Sequence, residues 1–224
     1  MKKTACLLLF SLVALLMACQ HLDGTVTATL GEGETVFRHI AVVPFMTVAS
    51  EDVKAGVVRC PLCGVIFRAE ETPPGSEKRV EAFFLERLTE SKRFDLIPSE
   101  RVEGIFRRIS ADSLKTPIRE ILQKTGTELE ADGIVVGYVY RFRERKGYPY
   151  SVKQPASVAF EIHLVRVKDG AIAWRGTFDK TQTSLMENLL QISWFFRERG
   201  QWVTAEELAR EGVEQLLDTY PGLR

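Results

Sequence analysis

Six consecutive residues, Ile40-Ala41-Val42-Val43-Pro44-Phe45, carry no polar side chain. A short, wholly apolar run of this kind is the mark of a buried strand, which needs other layers packed over it. The remaining pattern predicts those layers. Residues 76–92 read as a helix with Val80, Phe84 and Leu88 on one face, widened by Phe83 and Leu85. Phe94-Asp95-Leu96-Ile97-Pro98 reads as a short strand stopped by proline. Ser99 is then placed to cap a helix running to about Ile109. Thr116-Pro117 has the form of an N-cap followed by proline at the first helical position, opening a helix to about Thr125.

Three strands are predicted next: Gly133 to Tyr140, Val158 to Leu164, and Ala171 to Phe178. Lys168-Asp169-Gly170 separates the last two, and Asp-Gly between such runs is a hairpin signal. Two helices are predicted to close the chain. The first covers 184–198 with Leu185, Leu189, Ile192 and Phe196. The second opens on a capping box, Thr204-Ala205-Glu206-Glu207, and is stopped by Tyr220-Pro221-Gly222. The predicted class is α/β (α+β): a mixed sheet of about five strands flanked by helices, with two C-terminal helices, in a single domain over residues 38–224.

The first nineteen residues concern address rather than fold. Met1-Lys2-Lys3-Thr4 is a basic head, and Ala5 to Ala18 is an apolar run of fourteen positions interrupted by Ser11. A spanning helix needs about 20 such residues, so the run reads as a secretory signal. Its end, Leu16-Met17-Ala18-Cys19, resembles the lipobox of bacterial lipoproteins. That resemblance implies a signal peptide over 1–18, cleavage before Cys19, and a lipid, palmitate among its chains, on the Cys19 sulfur and amine. Two or three acyl chains anchor firmly where one binds only marginally. Gln20, rather than aspartate, implies the periplasmic face of the outer membrane, with the inner membrane as the second choice. Residues 19–37, rich in Gly, Thr and Glu, read as a flexible tether.

Composition excludes one partner class. Basic and acidic residues number 30 each, and removing Lys2 and Lys3 with the signal leaves 28 against 30. A nucleic-acid partner would call for a clearly basic face. The hydrophobic share of 45% and charged share of 27% are ordinary for one globular domain with a real core.

The order of elements is similar to a group of envelope proteins: the TolB amino-terminal domain, a lipoprotein activator of a penicillin-binding protein, and a curlin secretion lipoprotein. Three stretches carry the resemblance, over about residues 38–182: Ile40 to Phe45; Arg93 to Arg101; and Ala131 to Gly137 with Val167 to Trp174. All are core patterns, so they imply fold and say little about function.

Chemistry concentrates at one motif. Cys6 leaves with the signal and Cys19 takes the lipid, which leaves Cys60 and Cys63 in Cys60-Pro61-Leu62-Cys63-Gly64. C-P-x-C-G is the knuckle of rubredoxins and zinc ribbons, and a tetrahedral zinc site needs four ligands. With one knuckle, the histidines available are His21, His39 and His163; either two of these converge on Cys60 and Cys63, or two chains share a four-sulfur site. A local disulfide and a reduced pair of structural thiols stand beside the metal reading. Thioredoxin-like chemistry needs the pair at a helix start, whereas Val65-Ile66-Phe67 reads as strand. Arg141-Phe142-Arg143-Glu144-Arg145-Lys146 reads as the solvated end of a hairpin, with phosphate or lipid headgroups as the alternative ligand. Trp194-Phe195-Phe196 and Trp202 read as core, with docking as the alternative. No catalytic constellation is present in sequence: no Gly-x-Ser-x-Gly, His-Glu-x-x-His or P-loop.

The sequence therefore predicts a lipid-anchored, non-enzymatic interaction or assembly module of the cell envelope. Its partners would be the membrane, through Cys19, and an envelope protein, with a homo-oligomer compatible. Zinc is the one cofactor in view. A metal- or redox-responsive protein using Cys60 and Cys63 is the alternative, and a hydrolase with an unrecognised site the second.

Overall fold

The computed structural model describes residues 25–31, 36–48, 56–70, 72–112, 115–148, 151–182 and 202–223. Cys19, the helix predicted over 184–198 and the Trp194-Phe195-Phe196 cluster lie outside the described residues.

The chain is a mixed α/β fold. Its main sheet has seven strands: β1 (Thr25–Leu30), β2 (His39–Val42), β3 (Met46–Thr47), β6 (Asp95–Leu96), β7 (Gly133–Arg143), β10 (Ser157–Arg166) and β11 (Ile172–Thr181). The order is β1-β11-β10-β7-β2-β6, with β3 continuing β2 along β7. The pairings β1–β11, β11–β10 and β10–β7 are antiparallel, while β7–β2 and β2–β6 are parallel. Two small hairpins stand beside it, β4 (Val57–Arg59) with β5 (Ile66–Arg68), and β8 (Lys146–Tyr148) with β9 (Ser151–Gln154). Four helices lie among the described residues: α1 (Ser76–Ser91), α2 (Ser99–Ala111), α3 (Ile118–Glu128) and α4 (Ala205–Leu217).

The central strands are buried on both sides, which is why they read as apolar runs. One face of the sheet packs against α1 and α4. Val80, Phe84 and Leu88 of α1, with Leu208, Val213 and Leu216 of α4, meet Val135, Val139, Phe160, Ile162 and Trp174. The other face is shared by two covers. Val102 of α2 and Leu122 of α3 cover part of it, and Val58, Leu62 and Phe67 of the β4–β5 hairpin cover the stretch around Tyr138 and Tyr140. Phe45 crosses β7 at Gly137, where an added Cβ would lie 2.4 Å from the ring. Only glycine allows that approach.

The structure corrects several local expectations. Thr25–Leu30, expected within the tether, forms β1 by pairing with β11, because β11 would otherwise expose a free edge. Ser99 is the first residue of α2 rather than its cap; Pro98, extended at ψ 129°, holds the cap position. Pro117 likewise precedes α3, which runs three residues further than expected. The capping box at Thr204 and Glu207 is present as read. Arg141, expected in a solvated run, is buried. It pairs with Asp179 and donates to Ser157 Oγ at 2.6 Å and to the Arg68 carbonyl at 3.2 Å. The strand simply continues through it, since β7 extends to Arg143.

Candidate metal centre

The C-P-x-C-G segment forms the tip of the β4–β5 hairpin. The Cys60 amide donates to the Val65 carbonyl at 2.8 Å, and the Gly64 amide donates back to the Cys60 carbonyl at 3.0 Å. Gly64 has a φ of +77°, a conformation that side chains other than glycine's resist. The Cys63 amide points at the Cys60 sulfur, 3.4 Å away. The turn therefore brings both sulfurs to its inner side. Apolar packing sets the hairpin on the sheet, with the Phe67 ring stacked on Tyr140 at 4.1 Å between centroids. The Glu70 amide donates to the Tyr140 carbonyl at 3.2 Å.

Beneath the tip runs β10. Its residues alternate: Val158, Phe160, Ile162 and Leu164 face the α1/α4 side, while Ala159 and Val165 face the hairpin side. Glu161 and His163 share that second face by the two-residue period of a strand. Both are fully buried. Placing a carboxylate there without partners would be costly, and the structure supplies partners for Glu161, whereas Nδ1 of His163 has none among the described residues. Glu161 accepts from Tyr140 Oη at 3.1 Å and from Thr177 Oγ1 at 3.2 Å, and lies 3.4 Å from Arg175 Nε. The His163 ring meets Tyr138 edge-on at 5.9 Å.

Cys60, Cys63, Glu161 and His163 converge, with one ligand atom from each lying within 4.8 Å of all the others. His163 Nε2 is 3.8 Å from Cys60 Sγ and 3.4 Å from Glu161 Oε2. Cys63 Sγ is 3.4 Å from the same Oε2. A tetrahedral ion with bonds of about 2.3 Å to sulfur and about 2.0–2.1 Å to nitrogen or oxygen has edges of about 3.3–3.8 Å. The three measured edges fall in that range. Oε2 is thus the carboxylate oxygen that faces the other three donors, and Oε1 is held by Thr177 and Arg175.

Burial tunes these groups. It pushes the Cys60 thiol up to about 12, reinforced by the negative charge of Glu161 and only partly opposed by hydrogen bonds from Tyr140 and the Cys63 amide. A cation held there would reverse that preference, because it would stabilise the thiolate directly. Burial lowers His163 to about 4, which leaves its ring neutral near pH 7, the form that ligates. Burial also raises Tyr138 and Tyr140 well above the usual phenol range, so both remain neutral.

Of the residues singled out in sequence, Cys60, Cys63 and His163 are brought together. His39 is not: it is half-exposed at the start of β2, 3.8 Å from Asp95 and 3.7 Å from Asp132. His21 lies outside the described residues. Glu161, not singled out in sequence, stands beside them as a fourth potential ligand from the same chain. Its signal in sequence was the Glu-x-His spacing on a strand, which sets both side chains on one face.

No protein-family profile matches the chain, and no curated protein matches it in sequence. Among solved structures, the chain is similar to the PelC dodecamer from Paraburkholderia phytofirmans, at 15% identity and a TM-score of 0.48, covering 87% of this chain and 94% of that one. It is similar to lipoprotein GNA1162 from Neisseria meningitidis at 16% identity and a TM-score of 0.41, covering 73% and 98%. It is also similar to the LpoB C-terminal domain from Escherichia coli at 13% identity and a TM-score of 0.36, covering 68% and 88%. The structures similar to this chain thus include bacterial lipoproteins, at distant levels of likeness.

Proposed function

We infer that the protein is a lipid-anchored, non-catalytic module of the bacterial envelope whose domain is stapled by a zinc ion at Cys60, Cys63, Glu161 and His163. The observation that carries the metal reading is the convergence of four donors of zinc's preferred types, all within 4.8 Å of one another. Two soft sulfurs with one imidazole and one carboxylate favour zinc over magnesium or calcium, which prefer oxygen alone. Charge supports it too. Two thiolates and a carboxylate around a dication leave one negative charge, and the Arg175 guanidinium beside Glu161 offsets it.

All four positions are filled by protein atoms, three of them buried. A catalytic zinc keeps one position for water, whereas a structural one is closed. The ion would join the β4–β5 hairpin to β10, two parts of the chain about a hundred residues apart. Because the set is intrachain, it needs no second copy. The lipid anchor on Cys19 and the outer-membrane address rest on the lipobox, and the interaction role on a closed centre in an anchored domain.

The test is the metal content and spectrum of the purified full chain. One zinc per chain is expected, with X-ray absorption giving two sulfur and two nitrogen or oxygen neighbours. A chain that stays metal-free with reducible Cys60 and Cys63 in excess zinc would overturn the reading. Labelled palmitate tests the anchor: it should enter the wild type and not Cys19→Ala.

A further inference from the structure

We propose that the centre releases its metal when a hypohalous acid joins Cys60 and Cys63 in a disulfide, so that the domain acts as an oxidant-triggered, reversible zinc store at the membrane. This rests on the metal reading above. The geometry points to it through the unequal settings of the two sulfurs. Cys60 is buried, whereas Cys63 is half-exposed at the hairpin tip. The less buried cysteine is thus held on one tight turn with a buried one whose sulfur can resolve it, both within the 4.8 Å cluster. Oxidation follows access as well as thiolate character, and a neighbouring resolving cysteine diverts the first product to a disulfide.

The step balances without another reagent. The Cys63 thiolate attacks chlorine of hypochlorous acid, forming an S–Cl bond and releasing hydroxide. The Cys60 thiolate then attacks the Cys63 sulfur; an S–S bond forms and chloride leaves with the electron pair. Two thiolates lose two electrons, and chlorine is reduced from the hypochlorite level to chloride. Two of the four ligands lose their charge. Glu161 and His163, fixed side by side on β10, cannot complete a tetrahedron alone, so the ion leaves.

The fold is built to survive the loss. The hairpin stays docked by the Phe67–Tyr140 stack, by the Arg141 guanidinium donating to the Arg68 carbonyl, and by the Glu70 amide on Tyr140. None of these passes through the metal. Reduction should therefore restore a competent site rather than a denatured one.

The experiment uses the full-length, zinc-loaded lipoprotein in detergent, titrated with hypochlorous acid while a chromogenic chelator reads free zinc. One equivalent of oxidant should free one equivalent of zinc. Intact mass of the released chain should fall by two hydrogens, its far-ultraviolet circular dichroism should be unchanged, and dithiothreitol followed by zinc should reload it. Zinc retained after one equivalent would overturn the proposal. So would release accompanied by sulfinic or sulfonic acid instead of a disulfide, or release with loss of the circular-dichroism signal. A chain that holds no zinc before oxidant is added would instead overturn the metal centre itself.

Discussion

Oε2 of Glu161 lies 3.4 Å from Nε2 of His163, and both side chains are wholly buried. Two polar groups so close in a dry strand are each half of a site. Glu161→Gln preserves volume and removes the charge that a dication would need. Its purified form is expected to carry far less zinc than the wild type, read by elemental analysis, and to melt at a lower temperature. Equal zinc content in the two proteins would exclude Glu161 as a ligand.

Chelation separates an intrachain centre from a shared one. A ligand held at a thousandfold excess over its dissociation constant stabilises the folded state by about 4 kcal/mol. Removing zinc with a strong chelator, or replacing both sulfurs in Cys60→Ser with Cys63→Ser, should therefore lower the melting temperature by several degrees. Mass in solution should not change, because all four donors come from one chain. A dimer that dissociates on chelation would place ligands on two chains.

Neighbouring arginines on β7 should differ sharply. Arg141 is buried and engages Asp179, Ser157 and the Arg68 carbonyl. Arg141→Ala strands those groups and should cost about 3 kcal/mol, the scale for breaking a buried pair. Arg143 pairs with the more exposed Glu70 at 2.8 Å, and Arg143→Ala should cost about 1 kcal/mol or less. Val43→Asp, which buries an unpaired charge at a fully covered position, should prevent folding outright. Chemical denaturation of the three variants gives the ranking directly.

The sequence made the framework legible because core strands and helix faces follow periods that any reader can count. Ile40 to Phe45, the Asp169-Gly170 turn and the Thr204 capping box all fell where their patterns put them. Two things were hidden, both decided by non-local pairing. Thr25–Leu30 alternates threonine with Val26, Ala28 and Leu30, a strand pattern in itself, but it lies between glycines and its pairing partner is the distant β11. The polar face of β10 carried no mark of what covers it, and Arg141 read as part of a solvated run. Each is covered by the β4–β5 hairpin, which arrives from about a hundred residues and about seventy residues away. Of the four donors in the cluster, the cysteine pair announced itself by its knuckle, whereas Glu161 became visible only when that cover was placed.

Acid should weaken one specific joint. Asp132 accepts from the His39 and Arg38 amides, each at 2.9 Å, and these bonds hold its carboxyl below the usual range despite some burial. A lowered folded-state pKa means the contribution is present above the unfolded value. It is lost as pH falls through the ordinary aspartate range and then through the lowered folded value. Asp132→Asn should therefore flatten the dependence of the melting temperature on pH in that acid range while changing it little in its slope near pH 7. A wild type and variant that lose stability in parallel on acidification would remove Asp132 from the linkage.

The position of β1 sets how far this domain reaches. With Cys19 as the anchor, only residues 20–24 separate the lipid from a strand already hydrogen-bonded into the sheet. Fully extended, six residue steps span at most about 20 Å, so a lipid on Cys19 would hold the domain close against the bilayer. The register fixes its stance as well: Thr25 lies opposite Asp179, and Arg143 opposite Ser157, at one end of the sheet. The β8–β9 hairpin, with Lys146, Tyr148 and Lys153, leaves from that same end, the end that a lipid on Cys19 would hold nearest the membrane.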